Sequence, residues 1–564
     1  MNPNPVASPQ PVTRPRRLAL PDAWGVGVVA TALLLSLPVL VVFSFIFYPA
    51  GDVWRHLAET VLADYVVNSL LLMVGVAIGT LTMGISTAWL TSMCEFPGRR
   101  FFEWALLLPM AVPAYIIAYT YTGMLGFEGP IQDALREAFG WGYGDYWFPE
   151  IRSLGGAIAM LSLVLYPYVY LLARAGFLEQ SVCVLEVSRT LGLGPWASFF
   201  RVALPLARPA IITGLSLALM ETLADYGTVQ YFGVSTFTTG IFRTWFGLGD
   251  SAAAAQLSAL LMGFVFLLIV LERWSRRRAR FHHTSNRYLQ LPRHRLSGTR
   301  LALALLACLL PLLLGFVVPA GQLAVWAWQT AGTMVDADFI ALTWNSLMLA
   351  SLAALIAVGL ALLMGYGKRL RPTPLMVASV RVAAMGYAVP GTVIAVGVML
   401  PFAWTDNAID AWMRAQFGIS TGLILSGTLV ALLFAYTVRF LAVSIQTVEA
   451  GLGKIRPTMD DAARSLGMPP RQVLRKIHMP IMRGTLLTAI LLVFVDVLKE
   501  LPATLILRPF NFNTLAVRTF ELASDERLAD ASTAALAIVV AGIVPVIILS
   551  RSISRSRPGH EHAA

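Results

Sequence analysis

Residues 66–92 read VVNSLLLMVGVAIGTLTMGISTAWLTS, and residues 343–366 read TWNSLMLASLAALIAVGLALLMGY. Neither stretch contains a charged residue, and each exceeds the roughly 20 apolar residues that a helix needs to cross the hydrocarbon of a bilayer. Both contain Asn-Ser-Leu near the start, at 68–70 and at 345–347. The two stretches therefore predict membrane-spanning helices that hold equivalent places in an internal repeat.

Twelve apolar runs of this kind follow one another along the chain. They lie near residues 24–48, 66–92, 103–126, 154–177, 207–228, 252–271, 299–319, 343–366, 376–400, 421–445, 484–506 and 529–550. Of all 564 residues, 57% are hydrophobic and 13% are charged, whereas a soluble domain carries about 25% charged residues. So few charges cannot cover a water-facing surface for this length, which excludes a soluble globular protein. The composition predicts an all-α membrane protein of about twelve transmembrane helices.

The charges between these runs change sign from one loop to the next. Acidic residues such as Asp133 and Asp338 mark the odd-numbered loops, and basic residues such as Arg99 and Arg464 mark the even-numbered loops. Lys and Arg in short loops stay on the cytoplasmic side, so we expect both termini in the cytoplasm. This distribution explains the formal net charge of +11 without a nucleic-acid partner.

An arginine-rich linker separates two similar halves of six runs each. Residues 273–300 contain nine arginines and no acidic residue. Val112-Pro113 in the first half recurs as Val389-Pro390 in the second. An even number of helices per half makes the repeat parallel, with a pseudo-twofold axis along the membrane normal. We expect an N-terminal cytoplasmic tail (1–23), a first half (24–272), a cytoplasmic linker (273–298), a second half (299–550) and a C-terminal cytoplasmic tail (551–564).

One cytoplasmic loop in each half carries the same spaced pattern. The loop at 178–208 contains EVSRTLG at 186–192 and VALP after nine further residues, and the loop at 446–483 contains DAARSLG at 461–467 and IHMP at the same spacing. Each pattern predicts a short helix with an early acid, favoured by the helix dipole, and a Gly suited to a left-handed C-cap. A short helix offered to the cytoplasm is a typical ligand for a groove in a partner. The candidate docking residues are Glu186, Gly192, Pro205, Asp461, Ala462, Ala463, Gly467 and Pro480.

These two loops resemble the EAA loops of ABC importer permeases, in which E-A-A, three residues, Gly and nine residues precede I-x-L-P. The first loop departs from that pattern at Val187, Ser188 and Val202, and the second at Asp461 and Met479. The resemblance extends over nearly the whole chain outside the N-terminal tail and the linker. The segments ETLADYG at 221–227 and DVLKELPAT at 496–504 look like those of the ferric iron permeases of the Fbp, Sfu and Hit type.

This resemblance implies a type I ABC importer fold in a bacterial inner membrane. It also implies two ATPase subunits that bind the two docking helices on the cytoplasmic side, and a periplasmic substrate-binding protein on the other side. Thiamine permeases share the fused architecture, so thiamine, or another organic cation, is an alternative cargo to ferric iron. A proton-coupled secondary transporter is an alternative of another class, because it also has twelve helices in two halves and a basic central loop.

The chain itself carries no nucleotide-binding signature. It has no GxxxxGK[ST], and its Gly365-Tyr-Gly-Lys368 has the wrong spacing and is followed by Arg. Cys94, Cys183 and Cys308 are far apart and show no metal-binding spacing, so we expect them to be reduced and unpaired. We therefore expect a transport subunit that is not an enzyme and has no cofactor, with ATP hydrolysis on separate subunits.

Four acids lie inside predicted membrane helices. Glu221 and Asp225 follow the first docking loop, and Asp496 and Glu500 follow the second, 275 residues later. Their i, i+4 spacing predicts that both acids of a pair lie on one helix face. Ionisable groups in a membrane helix face a cavity or a partner, so the acids either line a translocation pathway or pair internally, with Lys499 as a nearby cation. Carboxylates suit hard cations and repel oxyanions, but they do not assign a metal site.

Overall fold

A computed structural model describes residues 23–49, 51–142, 144–178, 195–277 and 293–555. Within these ranges, ten helices are long and apolar enough to cross a membrane, and two bent helix pairs bring the number to twelve. Ten of the twelve predicted apolar runs overlap one of these ten helices, and the runs near 103–126 and 484–506 overlap the two bent pairs. The run near 376–400 is divided between a shorter helix, Pro374–Ala388, and the spanning helix Gly391–Phe417. The predicted all-α membrane fold with two related halves is confirmed.

The first half begins with a long helix and ends with the helix that leads into the linker. Its helices are α1 (Ala23–Ser44), α2 (Asp52–Thr60), α3 (Leu62–Met93), α4 (Arg99–Ala105), α5 (Ala114–Leu125), α6 (Pro130–Phe139), α7 (Leu154–Leu178), α8 (Pro195–Ser198), α9 (Leu204–Ala224), α10 (Gly227–Tyr231), α11 (Phe237–Phe242) and α12 (Ser251–Arg277). A two-residue strand, β1 (Cys94–Glu95), pairs in parallel with β2 (His294–Arg295) and so fixes the end of the linker to the first half.

The second half repeats this order. Its helices are α13 (Gly298–Leu312), α14 (Val318–Met334), α15 (Ala337–Leu370), α16 (Pro374–Ala383), α17 (Gly391–Phe417), α18 (Leu429–Gly453), α19 (Pro457–Ser465), α20 (Pro470–Val473), α21 (Met479–Ile481), α22 (Arg483–Leu498), α23 (Pro502–Leu507), α24 (Leu515–Ser524) and α25 (Leu528–Arg555). Short π-helical segments join α8 to α9 and α20 to α21, at Phe199–Ala203 and Leu474–His478, so even this irregularity recurs in both halves.

The third membrane span of each half is broken at the same place. A 3₁₀ segment, Leu108–Ala111 or Ala384–Ala388, leads into Val-Pro, and the proline is extended with ψ 142° at Pro113 and 141° at Pro390. Proline interrupts a helix because it lacks an N–H and its ring clashes with the preceding turn. In the first half the chain turns by 89° at this break. The breaks of the two halves bring loop-like backbone into the middle of the bundle.

The first helices of the two halves pack across onto the other half. Helix α1 packs against α16 and α17, while α13 and α14 pack against α3 and α5. A Cβ at Gly397 in α17 would collide with the carbonyl group of Pro38 in α1, so glycine permits this close approach. On the other side, the Tyr121 hydroxyl donates to the carbonyl oxygen of Leu314 at 2.7 Å. The halves are therefore interlocked rather than side by side.

Candidate translocation cavity and docking helix

A cavity of about 130 Å³ lies between the two halves, next to the breaks in their third spans. Residues from both halves line it, including Val112 and Pro113 on one side and Tyr387 on the other. All four acids singled out in the sequence lie in its wall, together with two cations, and this charged set consists of Glu221, Asp225, Asp496, Glu500, Arg439 and Lys499. The repeat therefore brings both predicted acid pairs to a single place.

The two acids of each pair do not share a continuous helix face, which corrects the sequence expectation. Helix α9 ends at Ala224 and α22 ends at Leu498, so Asp225 and Glu500 lie in the breaks that follow. Asp225 accepts hydrogen bonds from the backbone N–H groups of Thr228 and Val229, both at 3.1 Å. Glu500 accepts from Ala503 and Thr504 in the same way, both at 3.2 Å. These carboxylates satisfy N–H groups of the next short helix that would otherwise lack partners.

Glu221 and Asp496 remain on their helices and make no such capping bonds in the described structure. Asp496 pairs with Lys499 at 2.9 Å, one helical turn further along. Glu221 lies 3.8 Å from a guanidinium nitrogen of Arg439. All four acids line the cavity, and three of them, Glu221, Asp496 and Glu500, also lie within ion-pair distance of a cation.

Arg439 is the residue in this cavity that the sequence analysis missed. It lies within α18 and is 8% exposed, and its Nη1 is 3.3 Å from Glu500. The available signal was a single charged residue in the middle of an apolar run, which is costly in lipid and by default marks a functional place. With Arg439 and Lys499 against four carboxylates, the lining has a formal charge of −2. The described residues hold no group of three or more His, Cys, Asp or Glu arranged to bind a metal ion.

The second candidate docking segment is a distinct helix, α19, outside the membrane-spanning helices. Pro457 occupies its first turn, and Ala463 is buried at 3% exposure. Its other face is open: Leu466 is 82% exposed and Met459 is 46% exposed, while Asp461 and Ala462 are also exposed. An exposed Leu and Met on one short helix form an apolar strip that a groove in a partner can cover.

Gly467 ends this helix in the left-handed conformation, with φ 74°. The N–H of Met468 donates to the carbonyl of Ala463 at 3.1 Å, and the N–H of Gly467 donates to that of Arg464 at 3.0 Å. Both bonds satisfy carbonyl groups at the helix end.

Replacing Gly467 by Val is expected to cost about 1–2 kcal/mol locally, because an L side chain is strained at positive φ. Gly453 is a matched control, since neither glycine has an atom within 4 Å of the position of a Cβ and only Gly467 has positive φ. We expect the yield of intact transporter complex in detergent extracts to fall for Gly467→Val and to stay near the wild-type yield for Gly453→Val. Equal yields for the two variants would contradict the assigned role of this turn.

Asp460, and not the motif acid Asp461, anchors α19 to the rest of the chain. Its carboxylate accepts from Arg369 Nε at 2.8 Å and lies 2.6 Å from His478 Nε2. Arg369 ends α15, and His478 is fully buried just before α21. Asp461 pairs only with Arg464 among the described residues, and both are exposed. Asp460 therefore joins α19 to the end of α15 and to the start of α21, and its place one residue before the motif does not reveal these contacts.

The other candidate docking residues are placed less centrally. Pro205 and Pro480 are exposed, in the first turn of α9 and in α21. Glu186 and Gly192 lie outside the described residues.

Comparison with known proteins gives one family-model match in each half of the chain. The model of the family described as binding-protein-dependent transport system inner membrane component matches twice, at residues 81–281 and 357–558. The Fe(3+)-transport system permease protein FbpB 2 of Haemophilus influenzae is 26% identical over 532 residues, which is 92% of this chain and 97% of that protein. The ferric transport system permease protein FbpB of Actinobacillus pleuropneumoniae is 23% identical over 84% of this chain and 71% of its own length.

A shorter relative matches only part of the chain. The molybdenum transport system permease protein ModB of Escherichia coli is 27% identical over 207 residues, which is 36% of this chain and 87% of that protein. The length of this match, 207 residues, is close to that of each of the two family-model matches. With two matches that together span most of its length, the chain belongs to the family of binding-protein-dependent transport system inner membrane components.

Proposed function

We propose that this chain is the permease of an ATP-driven importer for ferric iron, delivered by a periplasmic binding protein. The names of the relatives that span most of the chain support this cargo. The observation that carries the proposal is the cavity between the halves, whose wall holds four carboxylates. Carboxylate oxygens are preferred ligands of hard cations, and the formal charge of −2 favours a cation over an oxyanion.

The coupling partner in this proposal is a pair of separate ATPase subunits on the cytoplasmic side. One subunit binds the exposed apolar strip of α19, and the other binds the equivalent segment around Glu186 and Gly192. When the ATPases close, α19 moves, and Asp460 transmits the movement to α15 through Arg369 and to α21 through His478. Opening of the cavity then alternates between the two sides of the membrane. Both termini lie in the cytoplasm, as the loop charges indicate.

A cation that passes through the cavity has to be bound weakly by several carboxylates, because a closed metal site would not release it readily. Asp225 and Glu500 are committed to the ends of α10 and α23 by their backbone hydrogen bonds. Among the described residues, Glu221 and Asp496 are held by side-chain cations alone, so their oxygens are free to turn towards cargo. A site assembled from such carboxylates can accept a cation from the binding protein and release it again.

Reconstitution tests this function. Proteoliposomes with the permease, its ATPase inside and its binding protein outside are expected to take up ferric iron only when ATP is present, and excess thiamine is not expected to compete. The family match over both halves argues against a proton-coupled secondary transporter. Iron uptake driven by a proton gradient without the ATPase, or ATP-driven uptake of thiamine in place of iron, would contradict the proposal.

A further inference from the structure

Arg439 joins the two halves of the molecule inside the cavity. It belongs to the second half, and it lies 3.3 Å from Glu500 of the same half and 3.8 Å from Glu221 of the first half. The other cation in the wall, Lys499, pairs with Asp496 three residues earlier in its own half. Among the ion pairs of the charged cavity lining, the pair of Arg439 with Glu221 therefore crosses from one half to the other.

The surrounding backbone is adapted to this arginine. A Cβ at Gly391 would collide with Arg439 Nη1 and with Glu500 Oε1. The repeat places Ala114 at the position of Gly391 and Val164 at the position of Arg439, so the first half has neither the arginine nor the glycine. The four acids occupy equivalent positions in the two halves, but Arg439 has no equivalent in the first half. Since Gly391 leaves the space that Arg439 and Glu500 occupy, the arginine is a specific feature of this cavity.

A partly buried ion pair across an interface resists separation of the two sides. Parting Arg439 from Glu221, whose side chain is 24% exposed, leaves a carboxylate without its cation, which is costly until water or another cation replaces it. We propose that Arg439 is a latch between the halves, which holds the cavity closed when no cargo is present. This proposal rests on the proposed function, because it takes the cavity as the route that opens during transport. Its readout is ATP hydrolysis without iron, so it can fail independently of the choice of cargo.

The test uses the complete complex of permease and ATPase in lipid nanodiscs, without binding protein and without iron. Arg439→Gln is expected to raise the basal rate of ATP hydrolysis by about fivefold or more, the smallest effect typical of coupling between sites. Glu221→Gln removes the opposite charge from the opposite half and is expected to raise the rate equally. The double variant is expected to match the single variants, because the same pair is lost in each case.

Arg508→Gln is the matched control. Arg508 pairs with Glu521 at 2.9 Å within the second half and away from the cavity, so the basal rate is expected to stay within about twofold of the wild type. If the cavity acted only through its net charge, Arg439→Gln and Glu221→Gln would change the rate in opposite directions, and that result would overturn the latch. Unchanged rates in both variants would overturn it as well. If the Arg439→Gln chain does not accumulate, Glu221→Gln decides alone, because it leaves Arg439 paired with Glu500.

Discussion

Replacing Asp460 by Asn is expected to reduce ATP-driven uptake by about tenfold or more, while the neighbouring change Asp461→Asn leaves uptake within about twofold of the wild type. The first change removes charged hydrogen bonds of a partly buried carboxylate, and the second removes an exposed ion pair. Asp460 holds Arg369 at the end of α15 and the buried His478, whereas Asp461 contacts the exposed Arg464. Loss of hydrogen bonds to charged groups costs about 1.5–3 kcal/mol each. The docking helix would then move without taking the membrane helices with it.

ATP hydrolysis separates this loss of coupling from a loss of folding. The Asp460→Asn complex is expected to hydrolyse ATP while it accumulates little cargo, and both rates are measured on the same proteoliposomes. Wild-type uptake by this variant would contradict the role given to Asp460. If Asp461→Asn lost uptake and Asp460→Asn did not, coupling would depend on Asp461, the acid of the loop pattern, and not on Asp460.

The pKa of Asp460 determines over which pH range this carboxylate is charged and can contact Arg369 and His478 as an anion. Burial tends to raise the pKa of Asp460, but hydrogen bonds from Arg369 and His478 outweigh it, and the pKa lies below its ordinary value of 3.8. A carboxyl whose pKa is lowered by folding contributes stability that is complete above its unfolded pKa and is lost as the pH falls through the folded value. This carboxylate therefore stays charged from pH 5 to pH 8, and changes in coupling over that range must come from other groups.

The double change Glu221→Gln and Asp496→Asn is expected to lower iron uptake by about tenfold or more, which corresponds to roughly 1.4 kcal/mol of lost stabilisation. These two acids are not the ones that cap α10 and α23, so the helix breaks should survive. The change brings the formal charge of the cavity wall from −2 to zero, because Arg439 and Lys499 then balance Asp225 and Glu500. A neutral wall no longer favours a cation.

Asp225→Asn serves as the comparison for this experiment. It keeps Glu221 and Asp496 but weakens the cap of α10, so it is expected to lower the thermal stability of the purified chain more than the double variant does. Uptake assays and thermal unfolding in detergent, run on both proteins, separate the two roles. Normal iron uptake by a stably inserted double variant would remove the proposed pathway function of these acids.

Most of the architecture can be predicted from the sequence, because lipid constrains the length and composition of every membrane-spanning helix. A spanning helix must be long and apolar, so the run at 66–92 and its counterpart at 343–366 are visible without any structure. The repeat then places the acid pairs at equivalent positions, and the structure brings all four to the same cavity. Periodicity alone could not show that α9 ends before Asp225, because the capping bonds depend on the conformation of the next four residues.

Contacts between distant segments are the part that the sequence does not reveal. Asp460 lies 91 residues from Arg369 along the chain, and neither segment contains a sequence pattern that predicts their contact. His478 occupies the variable position of the loop pattern, yet it is fully buried against that same acid. Arg439 is different, since a lone arginine in an apolar run is itself a signal, although its link to Glu221 follows only from the packing of the halves.

The proposed function requires that α19 face the cytoplasm, where a separate ATPase subunit can bind it. Leu466 is 82% exposed on α19, and Ile419 is 56% exposed at the end of α17, in a loop predicted to face the other side. In a chain with Cys94, Cys183 and Cys308 replaced by Ser, Leu466→Cys and Ile419→Cys can be labelled with a membrane-impermeant thiol reagent.

We expect Leu466→Cys to be labelled in inverted membrane vesicles only, and bound ATPase subunits to shield it, whereas Ile419→Cys is labelled only in right-side-out vesicles. Labelling of Leu466→Cys from the outer side, or labelling that the ATPase does not reduce, would contradict the proposed function.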